Sequence, residues 1–184
     1  MRQRDLRFTF SVLDSRLAFE VVEFTLEEAL CEPFRLSLEL ASENATIDFA
    51  QVLDKPTLLT IWQGSTAVRH VHALVSSFTQ GTTGFRRTRY RVVVEPQLAR
   101  LGLSSGWRIF QQKTVPAILK SVLAEHGIMD YEARINTEHL PREYCVQAGD
   151  TDLYLFDRLS TEEGLFYFFK HTANAHTLIH SDKL

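Results

Sequence analysis

Only two cysteines occur in the 184 residues, Cys31 and Cys145, which excludes a disulfide framework as the basis of the fold. Each lies in an apolar, strand-like stretch, so both are expected to be reduced, buried thiols. Long hydrophobic runs are missing too, and none approaches the length of a bilayer-spanning helix. The opening "MRQRDLRFTFSV" lacks the shape of a signal peptide, so no general secretion signal is expected within it. Nor does charge of one sign accumulate. The net charge of −3 comes from 20 basic and 23 acidic residues, with the two signs interspersed, which gives no electrostatic reason to expect a nucleic-acid or membrane-surface partner. A glycine-rich phosphate loop, a serine nucleophile elbow, internal repeats and low-complexity segments are all absent.

What is present is ordinary for a globular chain: 45% hydrophobic and 23% charged residues, enough for one good-sized domain or two small ones. The first hundred residues read as β. "LRFTFSV", "FEVVEFTLEEAL" and "PTLLTIWQG" are rich in β-branched and aromatic residues. "PFRLSLELAS" alternates, with Phe34, Leu36, Leu38 and Leu40 on one face. "IDFAQVLDK" reads as a short helical turn. Two long strands follow, "AVRHVHALVSSFTQ" and "FRRTRYRVVVEP", with "GTTG" as the hairpin loop between them. About six strands joined by short turns predict a closed or nearly closed antiparallel barrel over residues 1–100.

The texture changes after Pro96. "PQLARLGLSSGW" reads as a helical turn and a Ser/Gly loop. The spacing in "TVPAILKSVLAEHG" predicts a helix capped by Thr114 and stopped at Gly127, with Lys120, Ser121, Glu125 and His126 toward solvent. After "DYEARI" and "REYCVQ" as strands, a second helix is capped by Asp150 or Thr151 and stopped at Gly164, with Leu153, Leu155, Phe156 and Leu159 inward. "LFYFFKH" and "HTLIH" are the last strands. Residues 101–184 therefore read as an α+β unit, helices covering one face of an antiparallel sheet. The predicted class is β-rich α+β.

No residue set presents itself as catalytic. Glu162 and Glu163 are adjacent and diverge by about 100° on a helix, so they cannot flank one bond. Asp150 and Asp152 are accounted for by capping and the helix dipole. Cys145 has apolar strand neighbours and no Cys-based signature. His70 and His72 share a strand face and His171, His176 and His180 lie close in sequence, but without thiolates or a known ligand spacing the histidines are expected to face solvent. Trp62 and Trp107 sit in segments that read as core or hinge. The ladder Arg87, Arg89, Arg91, with Arg86 beside it, falls opposite Tyr90. Without stacking aromatics on its own face it suits a solvated barrel face, or a channel-lining or intersubunit face, better than nucleic acid. It is the candidate lumen or interface surface.

Three long stretches carry a family resemblance: "FTFSVLDSRLAFEVVEFTLEEALCEPFRLSLELAS", "YRVVVEPQLARLGLSSGWRIFQQKTVPAILKSVLAEHGI" and "LPREYCVQAGDTDLYLFDRLSTEEGLFYFFKHTANAHTLIHSD". With them the chain resembles the N-terminal, phage hub-like part of the VgrG (valine–glycine repeat) proteins, the spikes of type VI secretion systems. The specific signals are "RIFQQKTVP" before a helix and "REYCVQ" followed by "DTDL" and "RLSTEEGLFYFF". The resemblance implies a non-enzymatic homotrimer with two barrels per chain that caps the hexameric tube protein. It would be assembled in the bacterial cytoplasm and then secreted by sheath contraction. It also implies effector or adaptor partners, no cofactor, no metal, no nucleic acid and no membrane anchor. Family members continue with a second barrel, a needle and sometimes an effector, so the hub module is expected to be incomplete at residue 184. A phage or phage-like tail hub is the alternative. A carrier of an enzymatic effector outside these residues is another, and a carbohydrate binder using exposed tryptophans is a third.

Overall fold

The computed structural model describes residues 5–183. Met1–Arg4, part of the opening stretch read for a leader, and Leu184 lie outside them. The chain forms two compact units. One comprises residues up to Glu28 with Phe34–Pro96 and His171–His176; the other comprises Ala29–Pro33, Gln97–Lys170 and the residues from Thr177 on.

The first unit contains β1 (Leu6–Val12), β2 (Glu20–Glu27), β3 (Arg35–Ser42), β4 (Pro56–Gln63), β5 (Thr66–Thr83) and β6 (Thr88–Glu95). They form one antiparallel sheet in the order β1-β4-β5-β6-β3-β2. Period-two alternation decides which face is buried. Leu36, Leu38 and Leu40 of β3 and Tyr90, Val92 and Val94 of β6 all enter the core. On β5, Val71, Ala73 and Val75 point inward, and a register shift between Val75 and Ser77 then changes the phase so that Phe78 also points inward. The edge strands come together: Phe10 bridges to Phe19 through the backbone, and the rings of Phe8 and Phe24 meet edge-on at 5.1 Å. The sheet is thus a curled, nearly closed antiparallel barrel. Inside it Phe78 and Tyr90 stack with centroids 5.1 Å apart. Phe19 lies edge-on to both. The Tyr90 hydroxyl donates to the Asn44 carbonyl at 2.7 Å, which satisfies a buried polar group.

Two local expectations need correction. "GTTG" is not the hairpin loop: β5 runs through Gly81 and Thr82 to Thr83, helped by an irregularity between Gln80 and Thr83, and the turn closes at Gly84, whose N–H donates to the Arg87 carbonyl. β2 stops at Glu27. Cys31 therefore lies in a turn with φ of 59° and is exposed, where a buried strand position was expected. Cys145 is buried.

The second unit contains a 3-10 segment (Gln97–Leu103), β7 (Ser105–Lys113), α1 (Val115–Glu125), β8 (Tyr131–Arg134), β9 (Arg142–Thr151), α2 (Asp152–Glu162) and, except for their ends at His171 and His176, which belong to the first unit, β10 (Phe166–His171) and β11 (His176–Ser181). β7 was not expected, because its first residues, "SGW", read as loop. It pairs with β9 in an antiparallel ribbon. β10, β11 and β8 form a second sheet in which β11 and β8 run parallel, so the unit is mixed rather than antiparallel. A long connection between β8 and β11 permits this, as a hairpin would not.

Both helices begin and end as their residues dictate. Thr114 Oγ1 accepts from Ala117 N–H and Thr151 Oγ1 from Tyr154 N–H. Gly127 and Gly164 take φ of 67° and 68° after the last turns, a conformation that costs glycine little. Their inner faces meet around Ile118, Leu119, Val122, Leu155, Phe156 and Leu159, all fully buried. Among the described residues no helix is long and apolar enough to cross a membrane.

Leu119→Ala, at a fully buried position, is expected to cost about 2–5 kcal/mol in urea denaturation. Leu103→Ala, at a side chain 88% exposed, should stay within about 0.5 kcal/mol.

Candidate assembly surfaces

Arg89 and Arg91 of the ladder lie where the alternation of β6 puts them, on the face opposite Tyr90, Val92 and Val94, and Arg87 immediately precedes the strand. It is not a bare basic stripe. Arg87 pairs with Glu20 of β2. Arg89 Nη1 lies 3.6 Å from Glu39 Oε1 on β3. Arg91 is exposed, with Glu39 opposite it on β3 and Thr79 on β5. Arg35 and Glu95 continue the pattern at 2.7 Å. Carboxylates alternate with guanidinium groups across three strands, so the outer face is a mixed-charge surface of half-exposed pairs. Each such pair adds little to stability.

The β7–β9 ribbon provides a different surface. Its register sets Trp107 opposite Ala148, Ile109 opposite Val146 and Gln111 opposite Tyr144. Phe110 and Cys145 turn to the core, which leaves Trp107 81%, Ile109 65%, Tyr144 60% and Val146 47% exposed. Trp107 is therefore not a core residue. Trp62 in the first unit is half-buried; its Nε1 donates to Thr9 Oγ1 and the Arg7 guanidinium lies over its ring. The strict alternation in "GWRIFQ" was the available signal for this ribbon.

Charged groups that looked like helix ornaments form networks in the second unit. Arg108 Nε donates to Gln147 Oε1 at 2.7 Å, and its other nitrogens pair with Asp152 and Glu125. Asp152, buried at the start of α2, also accepts from Gln147 Nε2 at 2.8 Å and lies 2.7 Å from His126 Nε2. His126, expected to face solvent, is half-buried by this pairing. Burial alone would raise the Asp152 pKa, but the hydrogen bonds from Gln147 and His126 and the Arg108 charge outweigh it and hold the carboxyl below the usual range. Likewise Arg142 binds both Glu162 and Glu163, and His139 Nδ1 lies 2.6 Å from Glu163.

The histidines also differ from expectation. His72 and His180 are buried, and the side chains of His171 and His139 are only 8% exposed. His72 meets His171 and His176 in the first unit, whereas His180 packs against Phe156 and Tyr167 in the second. Sequence proximity grouped the wrong set. Among the described residues no group of three or more His, Cys, Asp or Glu side chains is arranged to hold a metal ion.

The description of the phage tail baseplate hub (GPD) family matches residues 27–184. The chain belongs to that family. This hub domain is 63% identical over 184 residues to the type VI secretion system spike protein VgrG2a of Pseudomonas aeruginosa, covering 100% of the chain and 22% of that protein. It is 41% identical over 152 residues to the actin cross-linking toxin VgrG1 of Vibrio cholerae, covering 83% of the chain and 14% of that protein. Among solved structures it is similar to an E. coli protein described as a component of the type VI secretion system with structural similarity to the T4 tail proteins gp27 and gp5. That match has a TM-score of 0.87 at 26% identity over 95% of the hub domain and 49% of that chain. The hub domain spans about a fifth of the length of its closely matching curated relative. It is a phage hub-like module of the kind VgrG spikes carry, with a β-rich α+β fold.

Because the folded pKa of Asp152 lies below its unfolded value, its contribution is present above the unfolded value and is lost as pH falls through the folded one. Arg108→Ala should therefore destabilise the chain by about 1.5–3 kcal/mol at neutral pH. The gap between variant and parent in urea denaturation should narrow as pH is lowered through and below the ordinary carboxylate range.

Proposed function

We propose that the chain is a structural hub module of a type VI secretion spike, which trimerises and caps the hexameric tube protein for contraction-driven delivery into a target cell. The observation that carries this reading is the unbroken likeness to VgrG2a, 63% over all 184 residues. Two surfaces support it. A contiguous exposed apolar stripe such as that of the β7–β9 ribbon suits a protein contact, and the mixed-charge face of β2, β3 and β6 suits a lumen or subunit interface built around Arg87, Arg89 and Arg91. In this reading residues 1–100 act as the first tube-like barrel and 101–184 as an α+β unit of the hub module. The spike assembles in the bacterial cytoplasm and leaves through the type VI system, with effectors or adaptors as further partners.

The networks around Arg108 and Arg142 use their charges on one another, so this region is read as scaffold rather than enzyme. The name of the Vibrio cholerae relative supports a second possibility for a longer protein, an effector activity located outside these residues. A baseplate hub of a phage or phage-like contractile tail is the alternative machine, favoured by the family match itself.

Light scattering of the chain, alone and mixed with the tube protein, is expected to give a trimer or a complex of three copies per hexamer. A monomer that ignores the tube would remove the claim that these residues assemble by themselves. Reversing charge at Arg87, Arg89 and Arg91 together should weaken that assembly, and undiminished assembly would remove those residues from the interface or lumen.

A further inference from the structure

Two histidines near the C-terminus meet a third, about a hundred residues earlier in the sequence, in the first unit. His72 lies on β5, on the face opposite Val71 and Ala73, while His171 ends β10 and His176 begins β11. The Nδ1 atoms of His72 and His176 are 3.0 Å apart, and their ring centres 5.3 Å. The backbone N–H of His72 donates to Nδ1 of His171 at 3.2 Å. The Phe34 ring stands edge-on to both His171 and His176, at 4.7 and 6.1 Å between centroids.

These bonds restrict where protons can sit. An imidazolium carries N–H on both nitrogens and accepts nothing. His171 must therefore keep Nδ1 bare to receive the His72 amide, and one member of the His72–His176 pair must keep a bare Nδ1 as well. A proton on His171 Nδ1, or a second proton on the pair, replaces a hydrogen bond with two opposed donors.

The surrounding charges do not remove this constraint. Glu28 Oε1 lies 3.8 Å from His171 Nε2 and favours the charged ring, but Glu28 is itself paired with Arg69 of β5, which disfavours it. His70, also on β5, is turned to Thr60 Oγ1 at 3.2 Å. Burial is the largest influence on both His171 and His176 and lowers each, and with the neighbouring His72 and His171 it brings His176 down to about 3.

We infer that His72, His171 and His176 form an acid-released latch that holds the 171–176 turn against β5, closed while the rings are neutral and opened by their protonation. The turn has bonds of its own. Thr172 N–H donates to the Ala175 carbonyl, and Thr172 Oγ1 accepts from the N–H groups of Asn174 and Ala175. It therefore leaves β5 as a unit rather than unravelling. The device does not depend on the spike assignment.

The sign follows from the lowered values: the latch contributes fully above the ordinary histidine pKa and weakens as pH falls from there toward 3. Amide hydrogen exchange at residue 72 of the 184-residue chain, whose N–H loses its His171 acceptor when the turn leaves β5, corrected for intrinsic chemistry, measures the opening equilibrium. Between pH 7 and pH 5 that equilibrium should rise roughly 20-fold for one proton taken up, and more for two, while the amides of Val92 and Val94 show no such rise. An opening equilibrium that is flat with pH would overturn the latch, as would an equal rise in a His72→Gln, His176→Gln variant. Should that variant fold poorly, imidazole NMR on the parent decides. His176 neutral at pH 5 in the closed form is the expected result, and a midpoint near 6.5 overturns the proposal.

Discussion

A six-stranded antiparallel sheet with one apolar face has to cover that face, and in the first unit it does so by curling until β1 and β2 meet at Phe10 and Phe19. The rings of Phe19, Phe78 and Tyr90 fill the inside of the curl. Other features follow from this constraint. The bulge near Ser76 exists because Phe78 must be inside although Val75 already is. Curling also removes much of the exposed strand edge that would otherwise invite pairing with other chains. It consigns every second side chain of β3 and β6 to the outside, where arginines and glutamates settle in pairs.

The second unit meets the same demand by other means. Two capped helices bury their apolar faces against one another and against short sheets, which leaves the β7–β9 ribbon covered on only one side. A two-stranded ribbon is marginal by itself. Here its inner face is anchored by Phe110 and Cys145 in the core and by the Arg108–Gln147–Asp152 network. The outer face can therefore remain apolar without the ribbon collapsing onto it, which makes it available for contact.

Features governed by local rules were legible in the sequence. The alternation of Leu36, Leu38 and Leu40 and of Tyr90, Val92 and Val94 gave both strand and face. Thr114, Thr151, Gly127 and Gly164 marked helix ends through their own hydrogen bonds and backbone freedom. What depends on distant partners was not legible. His72 is buried by residues about a hundred positions away. The parallel pairing of β8 with β11 has no local signature. Asp152 satisfied a capping rule so well that its role with Arg108 and His126 was hidden. Cys31 was misread because strand-like composition continued past the residue where β2 ends, and only the left-handed turn there exposes it.

That last feature has a practical use. One thiol is accessible in a turn, and the other is buried on β9 with its pKa raised chiefly by burial. Alkylation of the native chain would therefore modify Cys31 at once, while Cys145 would react only when the second unit opens. The slow second modification would act as a clock for the opening of that core, read on the unaltered sequence and without any added probe.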